Sequence, residues 1–346
     1  MSDRDRPLRA VVVCPGRGSY GRAQLGSLRA AGAHAGPIAE SLDRFRAALG
    51  RPPVSELDAA ATYEPRLHVA GEHASLLTFA CTVADLAALD RDRVELVGVT
   101  GNSMGFYTAL HAAGALELSD AARLVETLGH YQAGNVIGGQ LVYPLVDDDW
   151  RPSPPLHEAA AAALRLPGVH VSIRLGGAIV LGADEAGLAR AREVLPTIER
   201  GGVRYPLPLP LHSAFHTPLM AETSARARAE LADLAIRSPA ITLVGGDGTV
   251  YRPWADPAAL LRYTLGTQIA LPFDLERAVA TAVGELGPDA VVLPGPGENL
   301  GGAVAQILIA RGWRGLRDRR DFREAQAGDR PLVLAMSRPE QRARVA

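Results

Sequence analysis

Two cysteines in 346 residues, Cys14 and Cys81, are too few and too ill-spaced for a disulfide framework or a zinc knuckle. Both read as small buried apolar residues. Lysine is absent altogether, and every cationic side chain is an arginine, a trait of overall composition that singles out no site. No apolar run is long enough to span a bilayer, and the charged N-terminus leads into a short strand instead of a signal-peptide core. No membrane partner is therefore expected, and the expected compartment is the cytoplasm. A net charge of −2 provides no field that would gather a polyanion, so composition points to no nucleic-acid partner. No internal repeat is present.

What remains is an ordinary globular composition, 47% hydrophobic and 21% charged. The length fits one large domain carrying an insertion. Residues 8–13 form a β-branched apolar run that stops at Pro15-Gly16, which predicts a buried strand in the middle of a sheet. Helical spacing follows over 75–89, a second strand over 94–100, and a helix over 106–115. A further helix is predicted from Ser119, with Ser119-Asp120 as its cap, to about Gln132.

From about 139 to 203 the texture changes to strand (140–145), helix (158–164), two strands (169–181) and helix (183–199). That order is what a small inserted domain of ferredoxin-like type presents. The proline-rich stretch 206–210 returns the chain to the main body, where a long helix through Leu231 and strands at 241–244 and 290–293 are predicted. Alternating strands and helices argue for a parallel sheet. The predicted division is a discontinuous large domain, 1–136 and 205–320, an inserted subdomain, 137–204, and a C-terminal tail, 321–346, read as solvated and loosely packed.

Gly101-Asn102-Ser103-Met104-Gly105 is a G-x-S-x-G turn with an apolar strand before it and a helix directly after it, the context of a nucleophile elbow. The turn is so tight that side chains at the two glycines would collide, which pushes the serine into the cleft. Ser103 Oγ would lie at the positive end of the following helix, and the Met104 N–H would face a developing oxyanion. This arrangement suits acyl transfer.

A serine needs a base, and nine histidines are available. His216 is favoured because it lies on a loop between the proline run and a helix, and such loops build sites. His212 is its rival. A metal held by His212 and His216 is rejected, because the prolines before them and Pro218 after them oppose a helix through both, and no third ligand is evident. Gly16-Arg17-Gly18-Ser19-Tyr20-Gly21 matches a dinucleotide-binding G-x-G-x-x-G, but residues 22–40 offer no second strand ending in an acidic ribose ligand.

The ordered motifs resemble those of the malonyl-CoA:acyl-carrier-protein transacylases and the acyltransferase domains of polyketide synthases, over about residues 8–305. Residues 14–19 resemble that family's F-P-G-Q-G-S, residues 101–105 its G-H-S-x-G, residues 112–116 its A-A-G-A-L, and residues 213–216 the segment ending in its histidine. Residues 268–272 resemble its Q-L-x-x-P, and residues 294–297 its G-P-G turn. The resemblance implies an α/β fold, an α/β-hydrolase-like large domain with a parallel sheet plus a small inserted ferredoxin-like α+β domain. It implies Ser103 as nucleophile, His216 as base, the Gln268 carbonyl orienting the imidazole, and the Arg17 and Met104 backbone N–H groups as the oxyanion hole. It also implies Asn102, Phe106, Leu128, Ser213 and Phe215 as pocket residues, acyl-CoA and an acyl carrier protein as partners, and no metal or redox cofactor.

The sequence departs from that pattern where malonyl-handling relatives carry a clamp arginine in an L-V-x-x-R-G context. Here 124–129 reads Leu-Val-Glu-Thr-Leu-Gly, so Leu128 occupies the clamp position and Arg123 points to another side of the helix. A neutral acyl group is the expectation from this change, since burying an unpaired carboxylate is costly. Arg17, where the family has glutamine, and Arg174 in the insertion are the candidate substitutes for the clamp. Asn102 and Phe106 likewise replace the family's histidine and glutamate. An editing thioesterase using the same dyad and a carrier-protein binder without turnover are the alternative functions.

Overall fold

The computed structural model describes residues 6–346. The elements that position the site are, in chain order, β1 (Leu8–Cys14), α1 (Gly71–Ala87), β2 (Val94–Gly101), α2 (Gly105–Ala112) and α3 (Leu118–His130). They are followed by β3 (Gly139–Pro144), α4 (Pro154–Leu164), β4 (His170–Arg174), β5 (Ala178–Ala183), α5 (Glu185–Val194) and β6 (Leu207–Pro208). The remainder comprises α6 (Ala221–Glu230), β7 (Leu243–Val244), β8 (Val250–Tyr251), β9 (Phe273–Asp274), α7 (Leu275–Leu286), β10 (Ala290–Leu293), α8 (Asn299–Ala310) and β11 (Val333–Ala335).

The main sheet has six strands in the order β8-β7-β2-β1-β10-β11. All neighbours are parallel except β8 on β7. β1 is central, as its continuous Val11-Val12-Val13 run predicts, because helices cover both faces of such a sheet and leave no polar side. Helix α1 owes its position to the same logic, being buried from His73 to Leu86 without interruption.

The second sheet has the order β9-β4-β5-β3-β6. Its β3-α4-β4-β5-α5 segment follows the order read from the sequence, and a separate core of Leu141, Tyr143, Leu181, Ala183 and Leu188 lies beneath its helices. The sheet also recruits β9 from the main body, parallel to β4. The insertion is thereby stitched to the segment that holds Gln268.

Several expectations need correction. The helix expected to begin at Ser119 starts at Leu118 with Glu117 in the cap position and no side-chain cap, so Ser119 is not the cap. The helix expected over 183–199 ends at Val194, just before Leu195-Pro196, where a proline lowers the helical preference of the residue before it. The C-terminal segment is not a loose solvated tail. Its apolar run supplies β11, which pairs with β10, and Val333, Leu334, Met336 and Val345 are buried. Arg342 reaches the buried Asp85 carboxylate on α1 and fastens the segment from the other side. None of the helices in the described residues is long and apolar enough to cross a membrane.

Candidate active site

Residue by residue, the site starts at the end of β2. Ser103 is held at φ +54°, a left-handed conformation that non-glycine residues rarely adopt. The neighbouring glycines make this possible. A Cβ on Gly101 would lie 2.2 Å from the Gly105 carbonyl oxygen, and a Cβ on Gly105 would lie 2.2 Å from the Cys14 carbonyl oxygen. The turn therefore packs directly on the end of β1, and Ser103 emerges at the start of α2 with its side chain partly exposed.

His216 arrives from the loop after the proline run, on a second strained residue at φ +63°. The Ser103 hydroxyl donates to His216 Nε2 at 2.7 Å, and His216 Nδ1–H donates to the Gln268 carbonyl at 2.6 Å. The carbonyl fixes the tautomer that leaves Nε2 as acceptor. The Gln268 side chain completes the arrangement: its Nε2 donates to the Ser103 carbonyl at 2.8 Å and its Oε1 accepts from Tyr263 at 3.1 Å. One residue thus holds both the imidazole and the serine.

His216 is 1% exposed. Burial pushes its pKa down to about 4, with the Gln268 carbonyl opposing part of that shift. The imidazole is neutral near pH 7 and free to take a proton. Acylation of Ser103 is therefore expected to hold level from pH 7 down to about 5 and to fall by half near pH 4, because protonation removes the base; a mass-resolved rate profile checks this. Stability moves in the same sense. The unfolded histidine, with a pKa near 6.5, binds a proton before the folded one does. Between those two values each lower pH unit costs the fold about 1.4 kcal/mol.

The Arg17 and Met104 backbone N–H groups, the expected oxyanion donors, make no hydrogen bond among the described residues. Both residues line the same cavity as Ser103 and His216, with a volume of about 200 Å³. Asn102, Leu128 and Phe215 line it too. Phe106 and Ser213 do not. Phe106 is fully buried against Tyr263, ring centroids 5.0 Å apart, because one residue along α2 turns the side chain by about 100° and Tyr107 faces the cavity instead. Ser213 Oγ is turned away to accept from the Ile137 N–H at 3.0 Å.

Sequence reasoning named Leu128 but missed its neighbours on the same face of α3 and its C-terminal turn, Val125, Gly129 and Gln132, which also line the cavity; their i, i+3, i+4 spacing around Leu128 was the available signal. It also missed the insertion's apolar contribution from Val142, Ile173, Val180 and the neighbouring Leu209.

The candidate substitutes for the clamp part company here. Arg174 has a side chain 54% exposed, lies 3.8 Å from Asp274 and does not line the cavity, so it is not placed to meet an acyl group. Arg123 pairs with Asp233 on the outside of α3. Arg17 is buried in the cavity wall, where its Nε donates to His212 Nε2 at 3.2 Å and its Nη2 to the Leu211 carbonyl at 2.8 Å. The rival histidine is therefore a partner of Arg17, and burial lowers its pKa to about 3.

No family model matches the chain. It is 26% identical over 212 residues, 61% of its own length, to the malonyl CoA-acyl carrier protein transacylase of Escherichia coli K12. The matched stretch spans 65% of that relative's length. The fold is shared with solved structures over almost the whole chain. An acyl-carrier-protein S-malonyltransferase from Burkholderia pseudomallei superposes with a TM-score of 0.70 at 25% identity, covering 96% of this chain and 97% of that one. A malonyl-transacylase solved in complex with its type II polyketide acyl-carrier protein gives a TM-score of 0.70 at 19% identity, covering 96% and 97%.

Proposed function

We propose that this relative of the malonyl-CoA–acyl carrier protein transacylases moves acyl groups in two half-reactions through Ser103. In the first, His216 Nε2 takes the hydroxyl proton as Oγ attacks the carbonyl carbon of an acyl-CoA thioester. The tetrahedral oxyanion lies against the Arg17 and Met104 N–H groups, donors with no competing acceptor among the described residues. Collapse expels the CoA thiolate, which takes the proton from the imidazolium and leaves an ester on Ser103.

In the second half-reaction the phosphopantetheine thiol of an acyl carrier protein gives its proton to His216 and attacks the ester. The Ser103 oxygen leaves and recovers that proton. Side chains and the thioester handle every proton and electron pair, so the reaction calls for no metal or redox cofactor. The observation that carries this reading is the chain of two short hydrogen bonds, 2.7 Å from Ser103 Oγ to His216 Nε2 and 2.6 Å from His216 Nδ1 to the Gln268 carbonyl. The carrier-protein partner is supported by the solved complex of a relative with its own carrier.

Along α3 the cavity offers an acyl chain only hydrocarbon, from Val125 and Leu128, and the insertion adds Val142, Ile173 and Val180. Neutral methylenes fit those walls, and a carboxylate finds no partner there. Mixing the protein with a panel of acyl-CoAs and weighing it intact is expected to show one acyl adduct per chain, absent in Ser103→Ala and discharged by holo carrier protein. Adducts that decay to free acid while carrier is present would instead make it a thioesterase. No adduct with any thioester, together with carrier binding that survives Ser103→Ala, would leave only a binding role.

A further inference from the structure

The backbone donor at residue 17 belongs to a short turn that its own side chain ties to the loop of the base. Residues 17–19 form a single 3-10 turn after β1, closed by the Ser19 N–H donating to the Gly16 carbonyl at 3.1 Å. Its inner end lies on the elbow, where a Cβ on Gly16 would be 3.0 Å from the Asn102 carbonyl oxygen. Its outer end is held by Asn299 Nδ2, which donates to the Gly18 carbonyl at 2.9 Å. Toward the loop that carries His216, the hydrogen bonds come from the Arg17 side chain, Nε to His212 Nε2 at 3.2 Å and Nη2 to the Leu211 carbonyl at 2.8 Å.

Both acceptors are prepared for this tie. His212 Nδ1–H donates to the Pro210 carbonyl at 2.9 Å, which leaves Nε2 as the lone-pair acceptor for the guanidinium. Leu211 sits at φ +55° with its side chain exposed, so the grip on its carbonyl, and not side-chain packing, holds that left-handed conformation. On its far side the guanidinium lies against the start of α1, where a Cβ on Gly71 would come 2.4 Å from Nη1. Nη1 is buried there without a partner, and both bonded acceptors are neutral. A guanidinium in that state does not maximise stability, since an apolar side chain would fill the same wedge without an orphaned donor. What the arginine adds is a rigid fork that joins two loops.

Resting on the acyl-transfer reading, we infer that the Arg17 side chain and His212 are positioning residues for the oxyanion hole, setting the Arg17 N–H against the loop of the base so that donor and base meet the same carbonyl. His216 follows Leu211 by five positions, and its imidazole is fixed by the bond to Gln268. The segment is therefore anchored at one end by the oxyanion residue and at the other by the residue that orients the base. Substituting the Arg17 side chain leaves its N–H in place, so the resulting loss is one of geometry.

Labelling of Ser103 by a fluorophosphonate tests this without requiring a thioester substrate, because Oγ displaces fluoride from phosphorus while its proton goes to His216. Arg17→Met is expected to lower the saturating rate of labelling, and of acylation by acyl-CoA, about ten- to a hundredfold, with half-saturation within about threefold of the unaltered protein. His212→Ala keeps the Leu211 bond and is expected to lose about three- to tenfold, and the double variant no more than Arg17→Met alone, since the two residues act as a unit. His212→Gln, whose Oε1 replaces the acceptor, should recover the rate lost in His212→Ala. Arg17→Lys, which keeps the charge and loses the fork, should stay slow. Melting curves identify variants that do not fold, and the two His212 variants carry the test if Arg17→Met is one of them. An unchanged saturating rate in folded variants, losses that multiply in the double variant, a change confined to half-saturation, or full recovery by Arg17→Lys would overturn the positioning role. The two readings fail separately. Thioester adducts on Ser103 that form equally fast in the variants leave transfer standing and remove the positioning role, whereas slowed fluorophosphonate labelling with no thioester adduct in the unaltered protein removes transfer alone.

Discussion

His216→Ala is expected to slow acylation of Ser103 by about four orders of magnitude while the protein stays folded. Among the described residues the side chain bonded to the serine hydroxyl is His216 Nε2, and the second histidine of the loop is spent on Arg17. Without the imidazole, the hydroxyl must lose its proton to water inside a largely apolar cavity, and only the backbone donors remain to lower the barrier. The effect should fall on the rate of adduct growth and leave the affinity for the thioester nearly unchanged, since the base contributes to the transition state and not to the ground state. A time course of intact mass at saturating acyl-CoA measures this. A loss smaller than tenfold would show that another group takes the proton.

Gly105→Ala is expected to destabilise the fold by at least about 3 kcal/mol, read from urea unfolding. The added methyl would lie 2.2 Å from the Cys14 carbonyl oxygen and 2.7 Å from that of Pro15, both backbone atoms at the end of the central strand. Neither can move without tearing the contact between β1 and the elbow, and no flexible side chain is present to absorb the overlap. Gly284→Ala provides the control within the same protein. That glycine is exposed on α7 with nothing near its added methyl, and the change should stabilise by up to about 1 kcal/mol through helix propensity. Equal effects at the two positions would mean that the tight packing of the elbow is not what the glycines are for.

The elbow was legible because its signal is local: two glycines, a serine, an apolar strand before and a helix after constrain one another within a dozen residues. His216 was legible for a similar reason, since prolines on both sides rule out the regular structure that would bury an ordinary histidine. The pairing of Arg17 with His212 was not, because its partners lie 195 positions apart and no periodicity links them. The C-terminal strand escaped for the same cause. Residues 331–336 carry the apolar content of a strand, but their neighbour β10 is parallel and reached through α8, so no hairpin turn announces the pairing. Phe106 failed on a finer scale. The resemblance placed it near the pocket, and the angular step from one helical residue to the next gave that place to Tyr107.

Gln268 holds the imidazole through its main chain and the serine through its side chain. The base and the serine are therefore secured by a single residue, so a substitution that shifts the main chain at 268 would disturb both ends of the Ser103–His216 contact together.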